Sequence, residues 1–264
     1  MPANLSLSNA HVHVWQSPTV LPPPTLAHLT SLLSPDERQL LDRLRIPSKK
    51  AESLVARGLL RHILGQLLQL DPRSLRFTAG PHGKPELTLA PTPGHNQRIY
   101  FNVSHTRNRV LLAISLDHPV GIDVEFVRPK ISHEELAQRF FTPTEHAAIR
   151  SLPPPPAPDQ RAAFFRCWTR KEAILKALGS GIAGGLDKFN VPVLPLAESI
   201  LLATPDLALD AEWTLCDLPV EIPYLASLAV AGRYSHLRTW TIPVFSMVNT
   251  GSLSPTQHAP TTSS

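Results

Sequence analysis

Apolar residues recur at helical spacing in two long segments of the chain. In residues 49–70, leucine and isoleucine return at intervals of three and four, which places them on one face of a helix. Residues 160–178 show the same period, and Gly179 follows as a signal for the end of the helix. A cap residue, a proline and then a glutamate predict further helix starts at 34–37 and 142–145.

Strand pairs follow each of these helical regions. Apolar runs bounded by turns predict strands near 100–103, 110–116, 213–218 and 224–231. The order of helix start, long helix and strand pair occurs twice, which predicts an α+β chain with halves at 1–118 and 119–245. Residues 246–264 contain no Lys, Arg, Asp or Glu, and we expect a disordered tail there. His11 and His13 share one face of a further predicted strand, where we expect them to be exposed.

One face of the second long helix carries an acid and a base. Glu172 and Lys176 lie four residues apart, so their side chains are neighbours on a helix. The opposite stripe is apolar, with Phe164, Trp168 and Leu175 among the residues that can be buried in a core. Such a pair is either a salt bridge on the surface or part of an active site, and the helix alone leaves both interpretations open.

A strand earlier in the chain carries two more carboxylates. In the segment 120–126, apolar residues alternate with Gly121, Asp123 and Glu125, which share one strand face. Two carboxylates on one face repel each other unless a cation separates them, and Mg²⁺ prefers such oxygen ligands. Gly121 leaves room for another group to approach the backbone. A solvated outer face of the strand is the alternative interpretation.

Together the two segments resemble the signature of the 4′-phosphopantetheinyl transferases. Gly121–Glu125 is similar to the Gly-Ile-Asp-Val-Glu strand of that family. Trp168–Lys176 is similar to its Trp-(Ser/Thr)-x-Lys-Glu-(Ala/Ser)-x-x-Lys helix, in the family's order and at its spacing. The likeness is to the larger, single-chain, surfactin-synthetase-activating type. Further elements that agree with it are Gly83–Pro85, Phe101–His105 and Arg139–Glu145.

The resemblance implies a fold and a reaction. The family has a pseudo-duplicated α+β fold, in which each half is an antiparallel sheet packed on a long helix and the active site lies between the halves. Its enzymes move 4′-phosphopantetheine from coenzyme A to a serine of apo acyl or peptidyl carrier proteins and release adenosine 3′,5′-bisphosphate. These carriers serve polyketide, nonribosomal peptide and fatty acid synthesis.

The resemblance also implies roles for the acidic residues and the lysine of the signature. Asp123, Glu125 and Glu172 are expected to bind Mg²⁺, with Mn²⁺ as a substitute. Lys176 is expected to face a phosphate of coenzyme A. Either Glu172 or Lys176 is expected to take the serine proton, and the sequence leaves the choice between them open.

A set of contacts to coenzyme A follows from the same resemblance. The residues expected to make them are Arg57, Lys84, Asn102, Ser104, His105 and Lys176. Some members hold the 3′-phosphate with lysines of an earlier helix, but the corresponding positions here are Glu37 and Leu40. Other cations must then hold the nucleotide end, and the candidates are Arg38, Arg57, Arg61 and Lys84.

Composition and charge bear on the cellular compartment and the binding partners of such an enzyme. The chain has 264 residues, 42% of them hydrophobic, and no apolar run long enough for a membrane span. With two cysteines and no signal-peptide pattern, we expect a cytoplasmic protein without disulfides. The net charge of +4 suits both coenzyme A and an acidic carrier protein. We expect a monomer with neither a nucleic-acid nor a membrane partner.

Two other functions would use the same residues. Asp123, Glu125 and Glu172 also suit a Mg²⁺-dependent phosphohydrolase, which cleaves coenzyme A or nucleotides with water and needs no carrier protein. The alternative without catalysis is a module that only binds carrier proteins or coenzyme A. Such a module has no need of three carboxylates together with Lys176, which favours an enzyme.

Overall fold

A computed structural model describes residues 11–80, 82–88, 98–153, 159–181, 185–203 and 212–242. The described residues form two compact units. The first unit contains those up to Gly80, those of Pro85–Asp117 and the last strand of the chain, and the second contains those of Pro81–Lys84 and His118–Ser235. The tail expected at residues 246–264 lies outside the described residues.

The helices and strands confirm the predicted α+β class. In chain order they are β1 (His11–Pro18), α1 (Pro23–Leu32), α2 (Pro35–Arg43), α3 (Pro47–Leu68), β2 (Arg76–Ala79), β3 (Pro85–Thr88), β4 (Ile99–Thr106), β5 (Arg109–Leu116), β6 (Val120–Phe126), α4 (His133–Phe140), α5 (Pro143–Arg150), α6 (Asp159–Leu178), β7 (Ile200–Ala203), β8 (Glu212–Asp217), β9 (Tyr224–Ala231) and β10 (His236–Thr241). Both long helices that the apolar period predicts are present, as α3 and α6. The four predicted strands are present as β4, β5, β8 and β9.

Capping boxes begin two helices at the predicted places. The Ser34 hydroxyl accepts the backbone N–H of Glu37, and the Glu37 carboxylate accepts the backbone N–H of Ser34 at 2.9 Å. Thr142 and Glu145 form the same reciprocal pair at the start of α5. Each box satisfies N–H groups that have no partner within the first turn of a helix.

Four strands of the first unit form a sheet in the order β10-β1-β5-β4. The pairs β1–β5 and β4–β5 are antiparallel, as predicted, whereas β1 and β10 are parallel. Helix α3 packs against β4 and β5, and its apolar face joins their core. The pairing of β10 with β1 places a late strand in the first unit, although its residues fall within the range 119–245 that the sequence assigns to the second half.

The burial of His13 contradicts the expectation of an exposed histidine. His13 is fully buried, and its ring centroid lies 5.7 Å from that of Trp15 and 4.7 Å from that of Trp240. The pKa of His13 is lowered to about 3, mainly by burial and also by the charges of Arg238 and His11. Trp240 and Arg238 belong to β10, so the long-range pairing of β10 with β1 brings both residues to this histidine.

The sheet of the second unit has the order β6-β9-β8-β7, and all its pairs are antiparallel. Helix α6 lies across β6 and β9. Its residues Phe164, Ile174 and Leu175 are buried in one core with Trp213 of β8. Each unit therefore combines a long helix with a sheet, as predicted, and each of these two sheets has four strands. Among the described helices, none has the length and apolar character needed to cross a membrane.

Candidate active site

Gly121 allows helix α6 to lie directly on strand β6. A Cβ atom at Gly121 would stand 1.9 Å from the carbonyl oxygen of Ala173 and 2.4 Å from the backbone nitrogen of Ala177. The group that approaches the backbone at Gly121 is therefore the helix. Because Asp123 and Glu125 share the strand face of Gly121, α6 lies on the face that carries both carboxylates.

We expect Gly121→Ala to lower the free energy of unfolding by about 3 kcal/mol, since the added methyl group meets helix backbone that cannot rotate away. Urea unfolding followed by circular dichroism measures the change. Gly181→Ala is the matched control, because a Cβ there meets none of the described atoms within 4 Å and adds left-handed backbone strain of about 1 kcal/mol. Equal losses in the two variants would contradict the close contact of α6 with β6.

Helix α6 brings Lys176 to a carboxylate of β6. Asp123 is only 4% exposed, and its Oδ1 atom lies 2.5 Å from Nζ of Lys176. This burial excludes a solvated outer face for Asp123. The short ion pair of Lys176 thus joins the helix to the strand. It is not the surface salt bridge with Glu172 that was the alternative interpretation of this helix.

Glu172 is buried next to the same ion pair. It is 7% exposed, and its Oε1 atom has no hydrogen-bond partner among the described residues. The pKa of Glu172 is raised to about 7, mainly by burial and then by the charges of Asp123 and Glu125, while the charge of Lys176 acts in the opposite direction. Three carboxylates and one ammonium therefore influence one another where α6 crosses β6.

The donor set at this place fits a hard divalent cation. Carboxylate oxygens are the ligands that Mg²⁺ prefers, and an added positive charge would relieve the repulsion between Glu172 and Asp123. Within the part of the chain that the structure describes, no three acidic, histidine or cysteine side chains are already arranged as metal ligands. The carboxylate oxygens of Asp123, Glu125 and Glu172 are therefore suitable ligands for a divalent cation. In this structure, the ammonium of Lys176 neutralises Asp123.

Lys171 lies at the centre of a buried polar cluster that the sequence analysis missed. Its Nζ atom lies 2.9 Å from Oε2 of Glu145 and donates to the carbonyl oxygens of Leu186, at 2.6 Å, and Phe189. The other carboxylate oxygen of Glu145 accepts the backbone N–H of Val191 at 2.7 Å. The cluster ties the start of α5 and the segment after α6 to the helix of the candidate site.

Arg170 makes a second buried link from the same helix. Its guanidinium donates to both carboxylate oxygens of Asp217, at 2.9 and 2.6 Å, and to the carbonyl oxygen of Pro192 at 2.5 Å. Arg170 and Lys171 are both fully buried. Their burial could not be predicted from the sequence, because a one-sided apolar stripe does not show that a helix is also enclosed on its polar side.

Three of the residues expected to contact coenzyme A lie along β4 in the first unit. Asn102 and Ser104 are buried, with 7% and 5% exposed. The side chain of His105 is 37% exposed, and its Nδ1 atom lies 3.1 Å from Oε2 of Glu52 on α3. Ser104 and His105 are consecutive residues of β4, so the buried hydroxyl and the partly exposed imidazole lie on opposite faces of the strand.

Lys84 lies in the second unit, beside the end of α6. Its Nζ atom donates to the carbonyl oxygen of Ala177 at 3.1 Å and to that of Val120 at 3.3 Å. The structure thus places Lys84 in the unit of Asp123 and Lys176, whereas Arg57 and the residues of β4 belong to the first unit.

The cations considered for the nucleotide end differ in accessibility. Arg61 is 3% exposed, and its guanidinium is held by Glu37 at 2.6 Å and by two backbone carbonyl oxygens, which gives it a structural role. The side chain of Arg57 is 40% exposed and lies 3.7 Å from Glu37. Arg38 is exposed and donates to a carbonyl oxygen at 3.2 Å, while Leu40 is 46% exposed.

Comparison with known proteins agrees with this geometry. The family model described as 4′-phosphopantetheinyl transferase, N-terminal, matches residues 20–117, and the one described as 4′-phosphopantetheinyl transferase superfamily matches residues 119–241.

Curated relatives match over much of the same length. The 4′-phosphopantetheinyl transferase HetI of Nostoc sp. is 36% identical over 231 residues, which cover 88% of this chain and 92% of HetI. The transferase psf-1 of Bacillus pumilus is 32% identical over 165 residues, or 62% of this chain and 66% of psf-1. Sfp of Bacillus subtilis is 32% identical over 161 residues, or 61% of this chain and 66% of Sfp. The chain therefore belongs to the 4′-phosphopantetheinyl transferase superfamily.

Proposed function

We propose that this transferase moves 4′-phosphopantetheine from coenzyme A to a serine of an acidic apo carrier protein, with Mg²⁺, and releases adenosine 3′,5′-bisphosphate. The meeting of Asp123, Glu172 and Lys176 where α6 lies on β6 is the observation that carries this assignment. A bond forms between the serine oxygen and the phosphorus next to pantetheine. The bond from that phosphorus to the bridging oxygen of the pyrophosphate breaks.

Charge neutralisation is the main task of the site in such a transfer, because the pyrophosphate is an anion and its leaving group gains further charge. Asp123, Glu125 and Glu172 are the residues that would hold Mg²⁺ or Mn²⁺, which when bound supplies positive charge to the pyrophosphate. The side chain of Lys176 is 29% exposed, so its ammonium can also meet a phosphate oxygen.

Glu172 and Lys176 are the two candidate bases for the serine proton. The Oε1 atom of Glu172 has no hydrogen-bond partner among the described residues, and this supports Glu172 as the acceptor, directly or through a water molecule. Lys176 must first lose a proton and its ion pair with Asp123 before it can accept one. The geometry therefore favours Glu172.

The proposed contacts to coenzyme A are Arg57, Lys84, Asn102, Ser104 and His105. Each offers hydrogen-bond donors, which suit phosphate oxygens. The exposed side chains of Arg57 and His105 support contacts to phosphate from the first unit. The place of Lys84 at the end of α6 supports a contact next to the residues of the candidate site.

Mass spectrometry of apo carrier proteins tests the function directly. The chain is incubated with coenzyme A, Mg²⁺ and several acidic apo carriers, and we expect the mass of phosphopantetheine on one serine of a carrier. Hydrolysis of coenzyme A in the absence of any carrier, with no mass gain on the carriers, would support the phosphohydrolase instead. Binding of carriers without a mass gain and without hydrolysis would support the module without catalysis.

The metal assignment predicts the behaviour of Asp123→Ala. We expect transfer to fall by about 100-fold or more and the remaining rate to be insensitive to Mg²⁺, because the change removes a proposed ligand. Initial rates over a Mg²⁺ titration measure both effects. Asp42→Ala is the control, since the Asp42 side chain is 74% exposed in the first unit. Wild-type stimulation by Mg²⁺ in Asp123→Ala would exclude Asp123 as a ligand.

A further inference from the structure

Glu52 is a buried carboxylate that neither the family signature nor the proposed chemistry uses. It lies on α3 with 1% of its side chain exposed, and its Oε2 atom is 3.1 Å from Nδ1 of His105. The ammonium of Lys49 lies 2.8 Å from the same oxygen. One carboxylate oxygen on the helix thus receives both an ammonium and an imidazole.

The fold explains why Glu52 reaches His105. Helix α3 packs against β4 and β5, and β4 has β5 as its partner in the sheet of the first unit. His105 stands near the end of β4, where Ser104 is buried and His105 is accessible. Glu52 therefore contacts the imidazole from the covered side, while 37% of the His105 side chain stays accessible.

The contact restricts the protonation of the ring. An ionised carboxylate can only accept hydrogen bonds, so Nδ1 of His105 carries the hydrogen that Glu52 accepts. The second nitrogen, Nε2, is then on the other edge of the ring. Nε2 can donate to a phosphate oxygen only when it also carries a hydrogen, and two anions, the carboxylate of Glu52 and the phosphate, then accept from the two edges of the ring.

We infer that Glu52 is a positioning residue, which orients His105 so that the imidazole can donate to a phosphate of coenzyme A. This role rests on the proposed contact of His105 with coenzyme A. Glu52 acts through His105 and touches neither the substrate nor the reacting atoms. A carboxylate behind a histidine is a general device for setting both the orientation of the ring and the nitrogen that carries the hydrogen.

A double-mutant cycle tests the role of Glu52. Glu52→Leu, His105→Ala and the double variant are compared by calorimetric binding of adenosine 3′,5′-bisphosphate and by the KM for coenzyme A. We expect Glu52→Leu to weaken binding and raise the KM by about tenfold with kcat nearly unchanged. In the His105→Ala background we expect Glu52→Leu to have no further effect, because its role depends on the imidazole.

Glu52→Gln separates positioning from packing. Its side chain keeps an oxygen that can accept Nδ1–H, so we expect this variant to recover most of the binding that Glu52→Leu loses. Thermal unfolding of each variant checks the fold, and Glu52→Ala replaces the leucine variant in the cycle if that variant does not fold. Additive losses in the double variant, or unchanged binding in Glu52→Leu, would overturn the inference.

The same data separate this inference from the proposed function. Unchanged binding in His105→Ala would refute the contact of His105 with coenzyme A, and the role of Glu52 with it. Failure of the wild type to modify any carrier would refute the transferase function whatever Glu52 does. Wild-type transfer together with weak binding in His105→Ala and normal binding in Glu52→Leu would refute only the role of Glu52.

Discussion

Glu172→Gln is expected to reduce phosphopantetheine transfer by about 1,000-fold while the chain stays folded. The substitution keeps the shape of the side chain, but it removes one of the three carboxylates and the favoured acceptor of the serine proton. The measurement is kcat/KM with coenzyme A and an apo carrier, followed by the mass of the carrier. Glu212→Gln is the matched control, because the Glu212 side chain lies in the same unit and is 61% exposed.

The stability of the Glu172→Gln variant checks that its fold is intact. The pKa of Glu172 is raised to about 7 in the folded chain, so folding is favoured while this group is protonated. That contribution is fully present below the ordinary pKa of 4.5 and is lost as the pH rises from there through about 7, above which the buried carboxylate is ionised and destabilises the chain. In buffer without divalent cations at pH 8, we therefore expect Glu172→Gln to unfold at a higher temperature than the wild type.

Two results would contradict the role of Glu172. Wild-type turnover by pure Glu172→Gln would remove Glu172 from the mechanism and leave Lys176 as the candidate base. A variant that loses both transfer and its cooperative thermal transition would show that Glu172 acts through the fold, in contrast to the predicted gain in stability at pH 8.

Lys171→Met is expected to lower the free energy of unfolding by about 4 kcal/mol, the largest change in stability that we predict. The ammonium of Lys171 neutralises Glu145 and satisfies the carbonyl oxygens of Leu186 and Phe189 inside the core. Its removal leaves a buried carboxylate without its counter-charge and two carbonyl groups without a donor. Urea unfolding followed by circular dichroism measures the loss.

Two further variants sharpen this test of the buried cluster. Adding Glu145→Gln to Lys171→Met removes the uncompensated charge, so we expect the double variant to be more stable than Lys171→Met alone. Lys188→Met removes an exposed ammonium from the same segment, and we expect a change of about 0.5 kcal/mol or less. A loss in Lys171→Met no greater than in Lys188→Met would mean that the buried pair contributes little to stability.

Local patterns in the sequence determined the helices, the main strands and the candidate reacting residues. The apolar period predicted α3 and α6, and the two capping boxes begin helices where the pattern of Ser34 and Thr142 placed them. These features depend on residues only a few positions apart in the sequence, so they can be recognised without knowledge of the tertiary structure. The signature segments at Gly121–Glu125 and Trp168–Lys176 led to the family that the comparisons confirm.

Only the tertiary structure decided which of these groups meet. Glu172 and Lys176 are neighbours along the helix, yet the short ion pair of Lys176 is with Asp123 of β6. His13 packs against Trp240, which belongs to β10 near the end of the described chain. Lys171 pairs with Glu145, which belongs to a different helix, α5. Helical and strand periods describe which face of an element is apolar. They do not describe which distant segment covers that face, and that covering sets the burial, the ion pairs and the pKa of the site.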